Sequence, residues 1–326
     1  MKMKQLSLIK NKNAMKQKVT LMIPAYNESA VLNKLFVELD SLMARHKEYD
    51  WEVLFVNDGS KDDTLDIIKE KRVHDDRYCF VNLSRNFGKE KAMAAGFDYA
   101  TGDCLINMDA DLQDPPKLID EMLKLWQEGY DDVYAKRKNR GEESWLRKHL
   151  SLSFYWLLQK MTKIEILPNV GDFRLLDRRC IDALRRLHEN ERYTKGLYCW
   201  IGYKKKEILF DRGDRAAGKS SWNFWSLFGL AIEGIVTFTT KPLRIATIAG
   251  LGIGLFCFIY MLYFLVKTLI FGDTTTGFPT LIVVMLFLGG IQLLSLGIIG
   301  EYIARIFIET KGRPVYVASE YNEKKI

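Results

Sequence analysis

Residues 104–116 read CLINMDADLQDPP, in which an apolar run, Cys104 to Met108, leads directly into a cluster of polar side chains. The apolar run predicts a short buried strand, and the two prolines predict that the strand has ended in a loop. Asp109 and Asp111 therefore stand two positions apart at the carboxyl end of a strand. An isolated Asp-x-Asp is also typical of an ordinary acidic turn, so its interpretation depends on the rest of the chain.

The same succession of strand, polar loop and helix occurs three times before this stretch. Apolar runs at Val19 to Ile23, Val53 to Val56 and Tyr78 to Leu83 are each followed by a polar loop, and these loops contain Glu28 and Asp58. Strands that alternate with amphipathic helices predict an α/β domain, a mostly parallel sheet with helices on both faces. Ligands bind at the carboxyl ends of the strands in such sheets, where these acids would lie.

Two long apolar stretches follow this domain. The chain has 326 residues, 48% of them hydrophobic, and a net charge of +7. Leu243 to Val266 and Thr280 to Gly300 are almost free of charge, and roughly 20 apolar residues suffice to cross a bilayer. We therefore predict a basic tail (1–18), an α/β domain (19–221), a juxtamembrane amphipathic helix (222–241), a transmembrane hairpin (242–304, with spans at about 243–266 and 280–303) and a C-terminal tail (305–326).

Two further segments are too polar to be ordinary spans. Trp145 to Met161 carries large apolar residues among basic ones, which predicts a helix at the membrane interface, with a core helix as the alternative. Trp222 to Thr239 is similar, and a third span is its alternative. Glu233 interrupts that segment and basic residues flank both of its ends, so we predict a helix on the membrane surface.

Flanking charges predict the topology. Lys241 and Arg244 lie at the start of the first span and Arg305 follows the second, so both termini and the α/β domain are predicted to be cytoplasmic on a multi-pass inner (plasma) membrane protein. The five cysteines lack paired metal-ligand spacing and fit a reducing cytosol. The N-terminal lysines lack the aromatic and arginine pattern of a nucleic-acid arm, so anionic lipid is the predicted partner. Gly250 and Gly254 would permit helix association in a homo-oligomer.

Several motifs together resemble the family 2 glycosyltransferases. The resemblance is closest to the polyprenyl-phosphate glycosyltransferases with two C-terminal membrane helices, the relatives of bactoprenol glucosyltransferase and dolichol-phosphate mannose synthase. The matching segments run in order from residue 19 to residue 316. They are PAYNE (24–28), VNDGSKDDT (56–64), SRNFGKE (84–90), DADLQDPP (109–116), GDFRLLDR (171–178), ERYTKG (191–196), AGKS (217–220) and KGRPVY (311–316).

This resemblance implies a Rossmann-like GT-A fold, a UDP-sugar donor, Mg²⁺ or Mn²⁺ as cofactor and a polyprenyl phosphate acceptor such as undecaprenyl phosphate. Glucose and N-acetylglucosamine are the leading sugars. By matched motif, the implied catalytic residues are Asp111 and Asp172, and the implied metal ligands are Asp109, Asp111 and Gln113. The implied donor-binding residues are Pro24, Tyr26, Glu28, Asp58, Asp109 and Ala110.

The implied reaction is an inverting attack of the lipid phosphate on the anomeric carbon of the sugar. A phosphomonoester is largely dianionic near neutral pH, so a strong general base is not required. A metal on Asp111 and Gln113 would instead stabilise the leaving diphosphate. Asp172 would be an orienting group or an auxiliary base, and its alternative is a simple ion pair with Arg174.

An anionic acceptor requires cations on the opposite wall of an acidic cleft, because guanidinium groups bind phosphate bidentately. The candidates are Arg137, Arg140, Arg212, Arg215 and Lys219. Many relatives have Ser-Lys-Tyr where this chain has Ser220, Ser221 and Trp222. A basic contact at position 221 is therefore missing, and whether Lys219 replaces it stays open.

Other functions fit the sequence less well. A processive polysaccharide synthase needs more spans and a Gln-x-x-Arg-Trp motif, and a nucleotidyltransferase needs a Gly-rich phosphate loop. A non-catalytic, sugar-nucleotide-binding membrane anchor and a lipid-flipping component remain as alternatives from a different class. Two spans are few for a flipping pathway, and the acids Asp109, Asp111 and Asp172 argue for an active enzyme.

Overall fold

The structure is a computed structural model that describes residues 16–138, 170–190, 192–210, 241–271 and 277–326. These residues belong to two compact units. The first contains the described residues up to 210 together with 314–326, and the second contains the described residues from 241 to 313. The segments Trp145 to Met161 and Trp222 to Thr239 and nearly all of the basic tail lie outside the described residues.

The first four strands form where the sequence predicts them. Each ends in a polar loop, because a run of apolar residues gives way to residues that favour turns or helix starts. The elements in order are β1 (Lys18–Ala25), α1 (Ser29–Arg45), β2 (Asp50–Asn57), α2 (Thr64–His74), β3 (Tyr78–Leu83), α3 (Lys89–Tyr99), β4 (Cys104–Asn107) and α4 (Leu118–Gln127).

The later elements are less evident from the sequence, because their strands are short, polar or far apart along the chain. They are β5 (Asp132–Arg137), β6 (Val170–Asp177), α5 (Arg178–Arg185), α6 (Thr194–Trp200), β7 (Lys205–Phe210), α7 (Lys241–Phe271), α8 (Phe278–Thr310), β8 (Ala318–Tyr321) and β9 (Lys324–Lys325).

All nine described strands form one sheet in the order β7-β5-β6-β4-β1-β2-β3-β8-β9. The four central strands, β4, β1, β2 and β3, are parallel, and β5 is parallel to β7. In contrast, β6 is antiparallel to both β4 and β5, and β8 is antiparallel to β3. The α/β, Rossmann-like GT-A fold is confirmed, but the sheet is mixed rather than mostly parallel.

A hydrophobic core between the sheet and its helices holds the strand ends in place. The helix α1 buries one face, and its Phe36 packs edge-on against Phe55 and Tyr78, with ring centroids 5.8 and 5.5 Å apart. Burial of a large apolar side chain stabilises the fold by about 1.5–3 kcal/mol. Many such side chains in the central strands and α1 make a rigid support for the loops at the strand ends.

The second unit contains two long apolar helices, α7 and α8, and residues 243–266 and 280–303, the predicted spans, lie within them. Among the described residues, the segment Phe287–Thr310 is long and apolar enough to cross a membrane. None of its most apolar window is buried within the protein, unlike the core helix of a soluble protein. Ala246–Tyr260 is a shorter apolar segment. The multi-pass topology stays a prediction.

The C-terminal segment differs from the predicted tail at 305–326. The helix α8 continues to Thr310, and β8 then pairs with β3 in the sheet. The register joins Asn82 to Glu320 and Leu83 to Ala318. Sequence periodicity did not reveal this strand, because a four-residue polar segment carries little apolar pattern of its own.

Candidate functional site

The carboxyl ends of the parallel strands surround a cleft of about 260 Å³. The loops after β1, β2, β3 and β4 all contribute to its wall, as expected for an open α/β sheet. Every residue that the sequence assigned to donor binding lies on this wall, as does Asp111. The lining residues are Pro24, Ala25, Tyr26, Glu28, Asp58, Asn86, Gly88, Lys89, Ala92, Asp109, Ala110 and Asp111.

Asp58 ties the loop after β2 to the loop after β3. Its carboxylate accepts hydrogen bonds from the backbone N–H groups of Phe87 (2.7 Å) and Gly88 (2.9 Å). Burial raises the pKa of Asp58, and these two donors oppose only part of that shift. The adjacent Gly59 has φ +65°, and a Cβ there would lie 2.4 Å from the carbonyl carbon of Arg85. The two loops therefore approach each other as closely as glycine allows.

Three of the four carboxylates that line the cleft interact electrostatically with one another. Burial, followed by the negative charges of Asp111 and Asp109, raises the pKa of Glu28 above its ordinary value. Acids that repel one another in this way stay ionised together only where a cation or hydrogen-bond donors offset the repulsion, and a ligand can supply these. The cleft is therefore better suited to a cation or a cation-bound ligand than to a bare anion.

Lys89 is the cation that the structure places among these acids. Its Nζ lies 2.6 Å from Oδ1 of Asp109 and 3.0 Å from Oδ2 of Asp172. Burial alone would lower the pKa of Lys89, but the charges of Asp172 and Asp109 outweigh it and raise that pKa. The Asp109 carboxylate is thus already neutralised in part by the protein itself.

Sequence reasoning did not assign Lys89 to the site. It belongs to the motif SRNFGKE, and the one signal in the sequence was its position at the start of a helix, directly after Gly88. In the structure Gly88 adopts φ +95°. The next residue, Glu90, accepts hydrogen bonds from the backbone N–H (3.0 Å) and the hydroxyl of Thr194. The motifs SRNFGKE and ERYTKG are therefore joined in the fold.

Asp172 contacts Lys89, which lines the cleft, and it does not form an ion pair with Arg174. Arg174 is buried and pairs instead with Asp132 on β5, at 3.1 Å. Burial raises the pKa of Asp172, but Lys89 and Lys195 outweigh this effect and hold that pKa below its ordinary value. Asp172 is therefore an ionised carboxylate near neutral pH.

Two buried polar groups near these acids lack partners within the described part of the chain. The side-chain amide of Gln113 is buried, and neither its oxygen nor its nitrogen has a hydrogen bond there. Oδ1 of Asp172 is in the same condition. The backbone N–H of Gln113 donates to Oδ1 of Asp111 at 3.1 Å, and between these two residues Leu112 adopts φ +58°. Unpaired buried polar atoms are costly, and a bound ion is one of the partners that can satisfy them.

The predicted acceptor residues are mostly beyond the described structure. Arg137 ends β5, in register with Phe210 of β7. Arg140, Arg212, Arg215 and Lys219 lie in segments that the structure does not describe. Their role in binding an acceptor phosphate stays a prediction.

Comparison with known proteins extends over both units of the chain. Residues 20–185 match the model of glycosyl transferase family 2, and residues 241–306 match the GtrB C-terminal hairpin. The chain is 45% identical over 304 residues to the putative glycosyltransferase CsbB of Bacillus subtilis, and the aligned region covers 93% of this chain and 92% of that protein. It is 41% identical over 300 residues to the prophage bactoprenol glucosyl transferase homolog of Escherichia coli, with 92% and 98% covered. It is 40% identical over 307 residues to the bactoprenol glucosyl transferase of Shigella phage SfV, with 94% and 100% covered.

Proposed function

The chain belongs to glycosyl transferase family 2, and from that membership we propose that it transfers a sugar from a UDP-sugar to a polyprenyl phosphate at the cytoplasmic face of the cell membrane. Glucose and N-acetylglucosamine are the proposed sugars, and undecaprenyl phosphate is the proposed acceptor. The observation that carries this proposal is the similarity to bactoprenol glucosyl transferases over the α/β unit and the helical hairpin alike.

In the proposed reaction, an oxygen of the lipid phosphate attacks the anomeric carbon of the sugar. The bond from that carbon to the β-phosphate oxygen of UDP breaks, UDP leaves with the bonding electrons, and the anomeric configuration inverts. The lipid phosphate is already largely dianionic at neutral pH, so little proton transfer is needed. An ionised Asp172 with a lowered pKa is a weak base, and therefore it suits an orienting role better than proton abstraction.

The residues of the cleft fit a divalent cation of the kind that carries a diphosphate. Burial, and after it the charges of Asp111 and Asp109, raise the pKa of Glu28, so part of the negative charge in the cleft is not offset. The buried amide of Gln113 lacks a partner among the described residues. Mg²⁺ and Mn²⁺ commonly use one or two carboxylates together with substrate oxygens. Asp109, Asp111 and Gln113 would hold the ion, which supplies Lewis-acid stabilisation to the departing diphosphate.

Lys89 supplies a positive charge beside these acids. Lys89 lies within 3.0 Å of both Asp109 and Asp172, so it orients these two carboxylates relative to each other. Glu28, Asp58 and Tyr26 line the part of the cleft proposed for the nucleotide. The predicted basic residues Arg137, Arg140, Arg212, Arg215 and Lys219 would receive the lipid phosphate.

The direct test is a transfer assay on membranes that contain the full chain. Membranes are incubated with labelled UDP-sugars, undecaprenyl phosphate and Mg²⁺ or Mn²⁺, and the lipid is then extracted. Label in the organic phase that disappears with excess EDTA is the expected result. Absence of label with every UDP-sugar tried, despite measurable UDP binding, would favour the non-catalytic membrane anchor. Testing all common UDP-sugars in parallel identifies the sugar.

The acceptor residues require a separate test. Arg215→Ala should weaken the use of undecaprenyl phosphate, seen as a higher KM for the lipid, and leave UDP binding near that of the wild type. A loss of both properties to the same extent would show that Arg215 does not act on the acceptor.

A further inference from the structure

The strand β8 pairs with β3 and, together with β9, closes one edge of the sheet. The backbone N–H of Ser84 donates to the carbonyl of Val317 at 2.9 Å, and that of Phe80 donates to Oδ1 of Asn322 at 2.9 Å. An exposed sheet edge is commonly covered by a short strand of this kind. The covering strand here is the part of the chain that follows the two apolar helices.

This strand contains a bulge at Ser319. Asn82 is opposite Glu320 and Leu83 is opposite Ala318, so Ser319 is the extra residue between them. A bulge redirects the side chain of the extra residue. The hydroxyl of Ser319 donates to the carbonyl of Asn82 at 3.0 Å and accepts from Nδ2 of the same residue at 3.2 Å.

A series of hydrogen bonds continues from Asn82 to the loop after β1. Nδ2 of Asn57 donates to Oδ1 of Asn82 at 2.7 Å, and the hydroxyl of Ser60 donates to Oδ1 of Asn57 at 2.5 Å. Oγ of Ser60 in turn accepts from the backbone N–H of Asn27 at 3.0 Å. Each amide and hydroxyl side chain in this series both donates and accepts, so the orientation of each one depends on the next.

The series ends at a residue with an uncommon backbone conformation. Asn27 has φ +56°, and it lies between Tyr26 and Glu28, which both line the cleft. A residue other than glycine stays in this region only where its surroundings determine it. Two contacts do so here, the bond to Ser60 and a bond from the backbone N–H of Lys61 to Oδ1 of Asn27 at 2.8 Å.

We propose that Ser319 is a positioning residue for the nucleotide site. Ser319 orients Asn82, and Asn82 in turn holds Asn57 and Ser60 in place. Ser60 then sets the conformation of Asn27, and so the positions of the two adjacent residues that line the cleft. This inference rests on the proposed function, because it takes the cleft to be the site for a nucleoside diphosphate. It makes donor affinity depend on a strand that lies about 290 residues further along the chain than the loop it supports.

The test measures the Kd of UDP in the presence of Mg²⁺ by calorimetry, on the full chain in lipid nanodiscs. Ser319→Ala removes the hydroxyl, and loss of one net hydrogen bond corresponds to a rise of about three- to ten-fold in Kd. Ser319→Thr keeps a hydroxyl and should restore most of the affinity. The KM for the UDP-sugar should rise with the Kd, and kcat should stay within about two-fold of wild type.

A matched variant separates positioning from simple docking of the strand. Glu320 forms an ion pair with Lys69 at 2.8 Å, which also holds β8 against the sheet but is outside the series. Glu320→Gln should therefore leave the Kd of UDP within about two-fold of wild type. A similar rise in both variants would overturn the role given to Ser319.

The remaining outcomes distinguish this inference from the proposed function. If the wild type binds UDP and Ser319→Ala binds it equally well, the inference is wrong and the proposed function stands. If the wild type does not bind UDP at all, the proposed function fails, and the inference fails with it. Thermal unfolding of each variant confirms that the compared proteins are equally folded.

Discussion

Nζ of Lys89 lies 3.0 Å from Oδ2 of Asp172, although 83 positions separate the two residues along the chain. The same ammonium group is 2.6 Å from Asp109 at the end of β4. One cation thus joins the loop after β4 to the start of β6. This contact also explains why Asp172 is ionised despite its burial, since burial alone would raise its pKa.

Replacing Lys89 should change the pH dependence of transfer. In Lys89→Met the largest of the charges that oppose burial is lost, so the pKa of Asp172 rises, although Lys195 still lowers it. If transfer requires ionised Asp172, the acidic limb of kcat/KM then moves to higher pH. We also expect kcat/KM at neutral pH to fall by roughly ten-fold or more, as for loss of a charge-assisted hydrogen bond.

Lys89→Arg is the control for this prediction. It keeps a cation between the two carboxylates, so its acidic limb should stay close to that of the wild type. An unchanged pH profile in Lys89→Met would contradict the prediction that Lys89 sets the acidic limb through the ionisation of Asp172.

Asp111→Asn tests the metal site. We expect kcat to fall by about 10²–10³, the usual cost of losing a group that stabilises transition-state charge. EDTA should abolish transfer by the wild type, and added Mg²⁺ or Mn²⁺ should restore it. Glu38→Gln, at an exposed position of α1, should retain full activity and the same metal requirement. Normal turnover in Asp111→Asn would remove Asp111 from the metal site.

Gly59→Ala should damage both stability and nucleotide binding. A residue with a side chain is strained at φ +65°, by about 1–2 kcal/mol, and the new Cβ would also lie 2.4 Å from backbone carbon of Arg85. Overpacking of this kind adds about 1–3 kcal/mol. The displaced loops are those joined by Asp58, so the Kd of UDP should rise as well.

Gly129→Ala is a matched control, because Gly129 has φ +89° but a Cβ there would meet no atom within 4 Å. It should show the backbone strain alone, with UDP affinity unchanged. Thermal unfolding and UDP titration of the two variants compare these effects. Equal destabilisation of both would mean that the approach of Gly59 to Arg85 is not limiting.

The buried pair of Arg174 and Asp132 should contribute strongly to stability. Asp132→Asn leaves the guanidinium of Arg174 buried without its counter-ion, which costs about 3–5 kcal/mol. Lys136 of the same strand forms a more exposed pair with Glu207 of β7, at 2.8 Å. Glu207→Gln should therefore cost at most about 1 kcal/mol. Thermal melting points that are lowered equally by the two substitutions would contradict this assignment.

Much of the site was predictable because its residues follow local rules. Glu28, Asp58, Asp109 and Asp111 come directly after apolar strands, and parallel strands place their carboxyl ends at one edge of a sheet. Lys89 was not predicted to be a site residue, since a lysine at a helix start is ordinary in sequence. Its importance comes from Asp172, whose strand β6 is remote in the chain and adjacent to β4 only in the fold. The alternative that Asp172 forms an ion pair with Arg174 was wrong, because Arg174 pairs with Asp132. The sequence does not show that Asp132 lies on the strand next to that of Arg174.

The sequence by itself determined the strand and helix order of the first half, the acids at the strand ends and the two apolar helices. These features follow from local periodicity and from the solvent preference of each side chain. Only the tertiary structure decided that β6 runs antiparallel beside β4, that Lys89 joins Asp109 to Asp172, and that Ser319 reaches Asn82 through a bulge in the last strands. Such contacts depend on which distant segments pair, and pairing is set by the packing of the whole sheet rather than by any local pattern.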